Sequence, residues 1–230
     1  MIASAASVFH LPERMSFTEG AAFGMAYGTS YHALVQQGEI SPGKVVLVLG
    51  AGGGTGIAAV QIAKALGGLV IAAASSPEKL ALAQASGADH AIDYLNRDLK
   101  QSVKDLTDGA GANIIYDPIG GALAEAAMRS IAWGGRYLVV GFASGTIPAI
   151  PINLALIKSA GIIGVFWGAW VDRAPILNRR NFENLSRLFS EGLLRPPISQ
   201  EIELEDVPAA LRAMLNRELQ GKTVIRFPAR

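Results

Sequence analysis

The chain has 230 residues, half of them hydrophobic and 17% charged, with 20 basic against 19 acidic side chains and a formal net charge of +1. That much apolar material builds a large core, and a mixed, near-neutral surface gives no electrostatic footprint for nucleic acid or an anionic membrane, so a soluble protein with a small, specific ligand is expected. With no cysteine, and with His10, His32 and His90 at no metal-ligand spacing, disulfides, thiolate-held metals and cysteine-ligated zinc chemistry are excluded, and no metal site is expected.

The opening MIASAASVFHLPER has neither a basic start nor a long apolar stretch and reads as no signal peptide, so a cytoplasmic protein is expected. Ser16 and Thr18 begin a helical stretch that is read as interrupted at Gly24 and Gly28 and as resuming through residues 31–37. Residues 1–40 therefore read as a connector. A charge-poor helix pair needs an apolar surface to pack on, and the sheet that follows is expected to supply it.

From Lys44 onward short β-branched runs alternate with helical patterns, the signature of βαβ units in a parallel sheet covered on both faces. Strands are expected at Val45–Leu49, 69–73, 90–92, 113–116, 136–140 and 161–166, with helices at 55–66, 77–86, 99–106, 122–131 and Asn153–Lys158 between them. Ser76 supplies an N-cap hydroxyl with Pro77 at the first helical position, Gly87 closes that helix, and Trp133-Gly134-Gly135 reads as a turn back into a strand. The fold class is α/β, a doubly wound Rossmann sheet of six parallel strands over residues 41–170. Residues 45–63 carry no charge and are about long enough to cross a bilayer. The glycines from Gly50 to Gly56 would leave backbone groups unsatisfied in lipid, and no span is expected. Residues 171–230 form a C-terminal extension with helices at 181–191 and Val207–Leu215 and a last strand at 222–227.

The strongest chemical signal is KVVLVLGAGGGTGIAAVQIAKALG, a buried strand running into glycines and then into a small-residue helix. Glycines allow a tight turn and close approach to a pyrophosphate, whose charge the free amides and dipole at the helix start would hold. The residues concerned are Ala51, Gly53, Gly54, Thr55 and Gly56, in the pattern AxGxxG. A turn built of glycine only for packing is the alternative, and the six-strand context favours a dinucleotide. About twenty residues on, where an acid would bind the ribose of NAD, the chain reads AAASSPEK over residues 72–79. No carboxylate ends that strand, Glu78 is read as pointing away from the ribose, and Ser75 and Lys79 can donate to a 2′-phosphate. Lys79 reads equally as an ordinary solvated lysine and Ser76 as a plain N-cap. NADPH is the expected cofactor.

The blocks LPERMSFTEGAA, GTSYHALVQ, SSPEKLALAQASGADHAIDY, IIYDPIGG, GGRYLVVGFASG and GKTVIRF, together with the glycine turn, make the chain resemble the medium-chain dehydrogenase/reductase superfamily in its zinc-independent, zeta-crystallin-like NADPH:quinone oxidoreductase branch. The resemblance implies a nicotinamide beside Thr29, Gly141, Phe142 and Phe166-Trp167, with Ser75, Lys79 and Tyr94 around the adenosine 2′-phosphate. Asn153 and Lys222 are weaker implications. Asp117-Pro118 also matches a family block, but it is read as a helix N-cap pair. Trp133 and Trp170 are left as core or surface aromatics.

The activity so implied is hydride transfer to a quinone or to a carbon–carbon double bond conjugated to a carbonyl. An enoyl-thioester or alkenal reductase, and a non-enzymatic NADPH-binding sensor or structural protein, are the alternatives. No acid or nucleophile is nominated as catalytic; His32 could donate a proton, but a lone helical histidine is more often a packing residue. Members of the branch begin with a GroES-like β-rich domain forming one wall of the cleft, of which this chain is read as carrying only a remnant. Slow, unselective turnover and exposed apolar surface are therefore expected. The apolar sixth strand should lie at the sheet edge, and a homodimer through it is expected.

Overall fold

The computed structural model describes residues 8–216 and 218–227, so the first seven residues of the opening segment lie outside the described residues. Six strands, β1 (Val45–Leu49), β2 (Leu69–Ala74), β3 (His90–Asp93), β4 (Ala112–Asp117), β5 (Ile131–Val139) and β6 (Gly161–Gly164), form one parallel sheet in the order β3-β2-β1-β4-β5-β6. β1 sits in the middle, with Val46 facing Val70 on one side and Ile114 on the other. The order reverses direction between β1 and β4, and that switch point is where a doubly wound sheet opens a crevice at its carboxyl edge.

Alternation along β1 divides the core into two layers. Val46 and Val48 point to the face covered by α1 (Phe17–Tyr31), α2 (Gly54–Ala65), α3 (Pro77–Ala85) and, further along the chain, the long helix Pro175–Ser190. Leu47 and Leu49 point to the face covered by α4 (Leu99–Asp105), α5 (Leu123–Arg129) and α6 (Asn153–Lys158). Burial on both faces explains why the central strands are continuous apolar runs. After β6 come α7 (Trp167–Arg173), α8 (Pro175–Ser190), β7 (Ile198–Ile202), α9 (Val207–Leu215) and β8 (Lys222–Ile225), with β7 and β8 paired as a separate two-stranded sheet.

Several elements differ from the sequence reading. α1 is one continuous 15-residue helix, capped by Ser16 and Glu19 in a capping box, and is not interrupted at Gly24 or Gly28. Packing overrides the weak helix propensity of glycine at Gly28, where an added Cβ would lie 2.6 Å from Trp167 Cζ2. The chain then continues as a π-helical segment, His32–Gln37. α1 packs chiefly on α2 and α8, its apolar side chains join the core layer that covers Val46 and Val48, and the π-helical segment reaches β4 and β5, so the sheet supplies packing surface as expected. β5 starts at Ile131, but its pairing with β4 jumps from Ala112–Ile131 to Ile114–Arg136, so residues 132–135, with Gly134 at φ 68°, bulge out of the ladder and lead into the paired run from Arg136. β6 stops at Gly164, α8 starts six residues before the expected helix at 181–191, and α7 and β7 were not expected at all.

Candidate functional site

Because all six strands are parallel, the segments that follow them emerge at one edge of the sheet. The turn after β1 is the most constrained. Gly50 adopts φ 60°, Gly53 donates its N–H to the Gly50 carbonyl at 3.0 Å, and α2 begins at Gly54 behind an extended Gly53 N-cap. A side chain on Gly56 would collide with the Gly50 carbonyl oxygen, so the first turn of α2 can lie this close to the strand end only without one. Ala51 is fully buried, its amide donating to the Ala73 carbonyl at 3.1 Å, whereas Gly53 is exposed and Gly54 and Thr55 are half-buried. The first amides of α2 therefore lie at a partly exposed helix N-terminus.

A cation occupies that end of the helix. An added Cβ on Gly54 would lie 2.9 Å from Lys222 Cδ and Cε and 3.4 Å from its Nζ. The chain brings Lys222 here because Gly221 bridges Gly53 and donates to the Gly52 carbonyl at 3.4 Å. Burial lowers the Lys222 pKa below its ordinary value, and no hydrogen bond or ion pair to its ammonium is formed among the described residues. A half-buried ammonium at the positive end of a helix dipole is unfavourable unless an anion joins them. A phosphate group fits this arrangement of glycines, amides and amine.

After β2 and β3 lies a cleft of about 460 Å³, lined by Ser75, Ser76, Glu78, Lys79, Tyr94, Leu95, Glu218 and Gln220. The sequence-expected trio Ser75, Lys79 and Tyr94 thus shares one cavity. The Lys79 stem also packs against Gly52, where an added Cβ would lie 2.5 Å from Lys79 Cβ, and this joins the cleft to the glycine turn. Glu78 lines the same cleft and does not point away. In the first turn of α3 its carboxylate swings back to the N-cap, where a hydrogen bond from Ser76 lowers its pKa.

On the other side of the switch point, Gly141 and Phe142 follow β5, and Phe166 and Trp167 follow β6. Phe142, 40% exposed, lies against Gly120; Phe166 is exposed; and Trp167 packs over Gly28, next to half-buried Thr29, with its Nε1 donating to Asn178 Oδ1 at 3.2 Å. The structure therefore sets Trp167 against Gly28, the residue before Thr29, and Gly141 and Phe142 beside the turn after β4. Asn153 stands apart: it is exposed and lines a different depression of about 600 Å³ with Ile152 and Leu156.

The family profile described as zinc-binding dehydrogenase matches residues 54–191. The quinone oxidoreductase-like protein 2 homolog of Nematostella vectensis is 39% identical over 220 residues, which are 95% of this chain and 60% of that protein. Among solved structures, an NAD-dependent alcohol dehydrogenase aligns with a TM-score of 0.87 at 31% identity over 97% of this chain and 63% of its own. Escherichia coli quinone oxidoreductase complexed with NADPH aligns with a TM-score of 0.86 at 26% identity over 94% of this chain and 67% of its own. The chain belongs to the medium-chain dehydrogenase/reductase superfamily. It is a quinone oxidoreductase-like member of this oxidoreductase superfamily with a Rossmann nucleotide-binding fold, and it spans less than two thirds of the length of the Nematostella relative.

Although the profile is named for zinc, this dehydrogenase/reductase chain has no cysteine, and among the described residues no group of three or more histidine, aspartate or glutamate side chains could hold a metal ion. No helix among the described residues is long and apolar enough to cross a membrane. His32 does not open onto the crevice. It is 1% exposed, stacked on Trp170 at 4.1 Å, with Nδ1 3.2 Å from Gln36 Oε1, and burial lowers its pKa. Trp170 is thus a half-buried packing aromatic, while Trp133 is exposed.

Asp117 is not a helix N-cap, since α5 starts only at Leu123 with Ala122 at its cap. The Asp117 carboxylate instead accepts the Ile119 and Gly120 amides, each at 2.8 Å, and the Tyr137 hydroxyl. A second buried network was not anticipated. Ser30 donates to the Thr55 carbonyl at 3.1 Å and lies 2.9 Å from the Tyr116 hydroxyl, tying α1 to the first turn of α2. Burial pushes Tyr116 up to about 12. A tyrosine beside an aspartate at the end of the mostly apolar strand β4, IIYD, is the pattern that could have pointed to both networks but does not name their partners. Glu218 and Gln220 carried no such signal.

Proposed function

We propose that this chain binds NADPH along the carboxyl edge of its sheet and serves a zinc-independent reductase whose hydride acceptor is a quinone or an α,β-unsaturated carbonyl compound. Lys222 carries this reading: a half-buried ammonium placed against Gly54, at the start of α2, calls for a phosphate between them. Gly53, Gly54, Thr55 and Gly56 would hold the pyrophosphate with Ala51 at the strand end, and Ser75, Lys79 and Tyr94 would surround the 2′-phosphate and adenosine. Thr29, Gly141, Phe142, Phe166 and Trp167 would flank the nicotinamide and exclude water. The cofactor, when bound, supplies the hydride from its reduced ring. The quinone half of the acceptor class rests on the names of the quinone oxidoreductase relatives, and the unsaturated-carbonyl half on the family resemblance and on the 2-haloacrylate reductase among the similar structures. A cytoplasmic homodimer paired through β6 is part of the same proposal.

NADH is the second reading, and Glu78 favours it, because a carboxylate in the adenosine cleft repels a 2′-phosphate and accepts from a free ribose hydroxyl. Steady-state oxidation of NADPH and of NADH against a panel of quinones and enones separates the two. Faster oxidation of NADPH with at least one of these acceptors is expected. Faster oxidation of NADH selects the second reading, and no oxidation of either by any acceptor contradicts the reductase assignment.

A further inference from the structure

We propose that Asp117 is a positioning residue for the cofactor, a buried carboxylate that fixes the loop after β5 against the glycine turn after β1. The inference rests on the reading that this edge binds a nicotinamide dinucleotide. Asp117 ends β4, the strand beside β1 at the switch point, and is 2% exposed. A buried carboxylate is tolerated only when its lone pairs are satisfied, and here three donors meet it: the Ile119 amide, the Gly120 amide and the Tyr137 hydroxyl. Burial and the facing carboxylate both push the Tyr137 hydroxyl well above the usual tyrosine range, so it stays a donor.

These bonds shape the turn from Pro118 to Gly121, in which Gly120 and Gly121 take φ 65° and 61°. The turn touches both halves of the site. Towards β1, Ile119 lies against Gly50, where an added Cβ would be 2.6 Å from Ile119 Cδ1. Towards β5, Gly120 lies against the Phe142 ring, 2.8 Å from Cδ1 by the same measure. The loop carrying Phe142 also hangs from this turn by its backbone. Val140 and Gly141 donate to the Asp117 carbonyl at 2.9 and 3.3 Å, Ala143 to Pro118 at 3.0 Å and Ser144 to Ile119 at 3.0 Å. One side chain thereby sets the spacing between the segment proposed for the pyrophosphate and the segment proposed for the nicotinamide, a spacing that a dinucleotide must match at both ends.

The test is amide hydrogen exchange together with NADPH titration on the folded chain and its Asp117→Ala, Asp117→Asn and Ile119→Ala variants. In Asp117→Ala the amides of Ile119, Gly120, Ala143 and Ser144 should lose protection while those of β1 and α2 keep theirs, and NADPH should bind about tenfold more weakly. Asp117→Asn keeps an acceptor for the two amides and turns its NH₂ to the Tyr137 oxygen, so both protection and affinity should recover. Ile119→Ala leaves the carboxylate and its donors in place, should fold if Asp117→Ala does not, and should weaken NADPH several-fold. NADPH affinity within about twofold of the unmodified chain in Asp117→Ala, or in Ile119→Ala if only that variant folds, overturns the positioning role. No binding of NADPH or NADH by the unmodified chain overturns the cofactor reading and this inference with it.

Discussion

Replacing Lys222 by methionine should move stability and cofactor affinity in opposite directions. Methionine keeps most of the apolar stem that packs on Gly54 and removes the ammonium from the positive end of α2. In the free chain that ammonium meets the helix dipole without an anionic partner among the described residues. Its removal should therefore stabilise by about 0.3–1 kcal/mol, which for a chain of this size raises Tm by roughly 1–4 °C. With a phosphate bound, the same ammonium makes a charge-assisted hydrogen bond contributing about 1.5–3 kcal/mol, so Lys222→Met should weaken NADPH by about 10- to 150-fold. The sign with pH follows. Burial holds the Lys222 pKa below its ordinary value in the free chain, and a bound phosphate raises it, so binding takes up a proton. Affinity should be complete below the free-chain pKa and fall as pH rises through the bound-state pKa, and the variant should lack this limb. Differential scanning fluorimetry and calorimetric titration measure both quantities. A lowered Tm with unchanged affinity would show that Lys222 is only a packing residue and refute the reasoning.

Three further outcomes are expected. Lys79→Ala should erode the preference for NADPH over NADH by about 1–2 kcal/mol, and Glu78→Gln should widen it, with dissociation constants for both cofactors as the check. Gly56→Val should destabilise the chain by about 1–3 kcal/mol in urea unfolding, because its side chain meets the Gly50 carbonyl and neither backbone can retreat; an unchanged midpoint would mean that the turn is looser than described. Among the described residues β6 pairs only with β5, leaving one edge bare beside exposed Ile162, so Ile163→Pro should convert the proposed homodimer to a monomer in analytical ultracentrifugation; an unmodified chain that is already monomeric at high concentration contradicts the dimer.

Much of the sheet was legible because burial on both faces writes its strands as short apolar runs, and β1 and α6 fall on the residues expected. Local signals misled where tertiary contacts overrode them. The glycines of α1 read as breaks because propensity does not know that Trp167 needs the space over Gly28. In the candidate site the glycine turn was plain, since its chemistry and its spacing coincide. The grouping of Ser75 and Lys79 was read from the missing acid after the second strand, and Tyr94 joined them only through the family resemblance; the three line one cleft because parallel strands end at one edge. The direction of Glu78 and the role of Asp117 were not legible. The first depends on a hydrogen bond back to Ser76, and the second on the turn after Pro118, which brings the Ile119 and Gly120 amides and the distant Tyr137 hydroxyl onto the carboxylate.

The measurement that tests the central claim most directly is a calorimetric titration of the chain with NADPH, repeated with NADH and with the Gly56→Val and Lys222→Met variants. Saturable binding of one NADPH per chain, tighter than NADH and lost or strongly weakened in both variants, is the predicted result. No binding of either cofactor by the unmodified chain, or binding that both substitutions leave untouched, would contradict it.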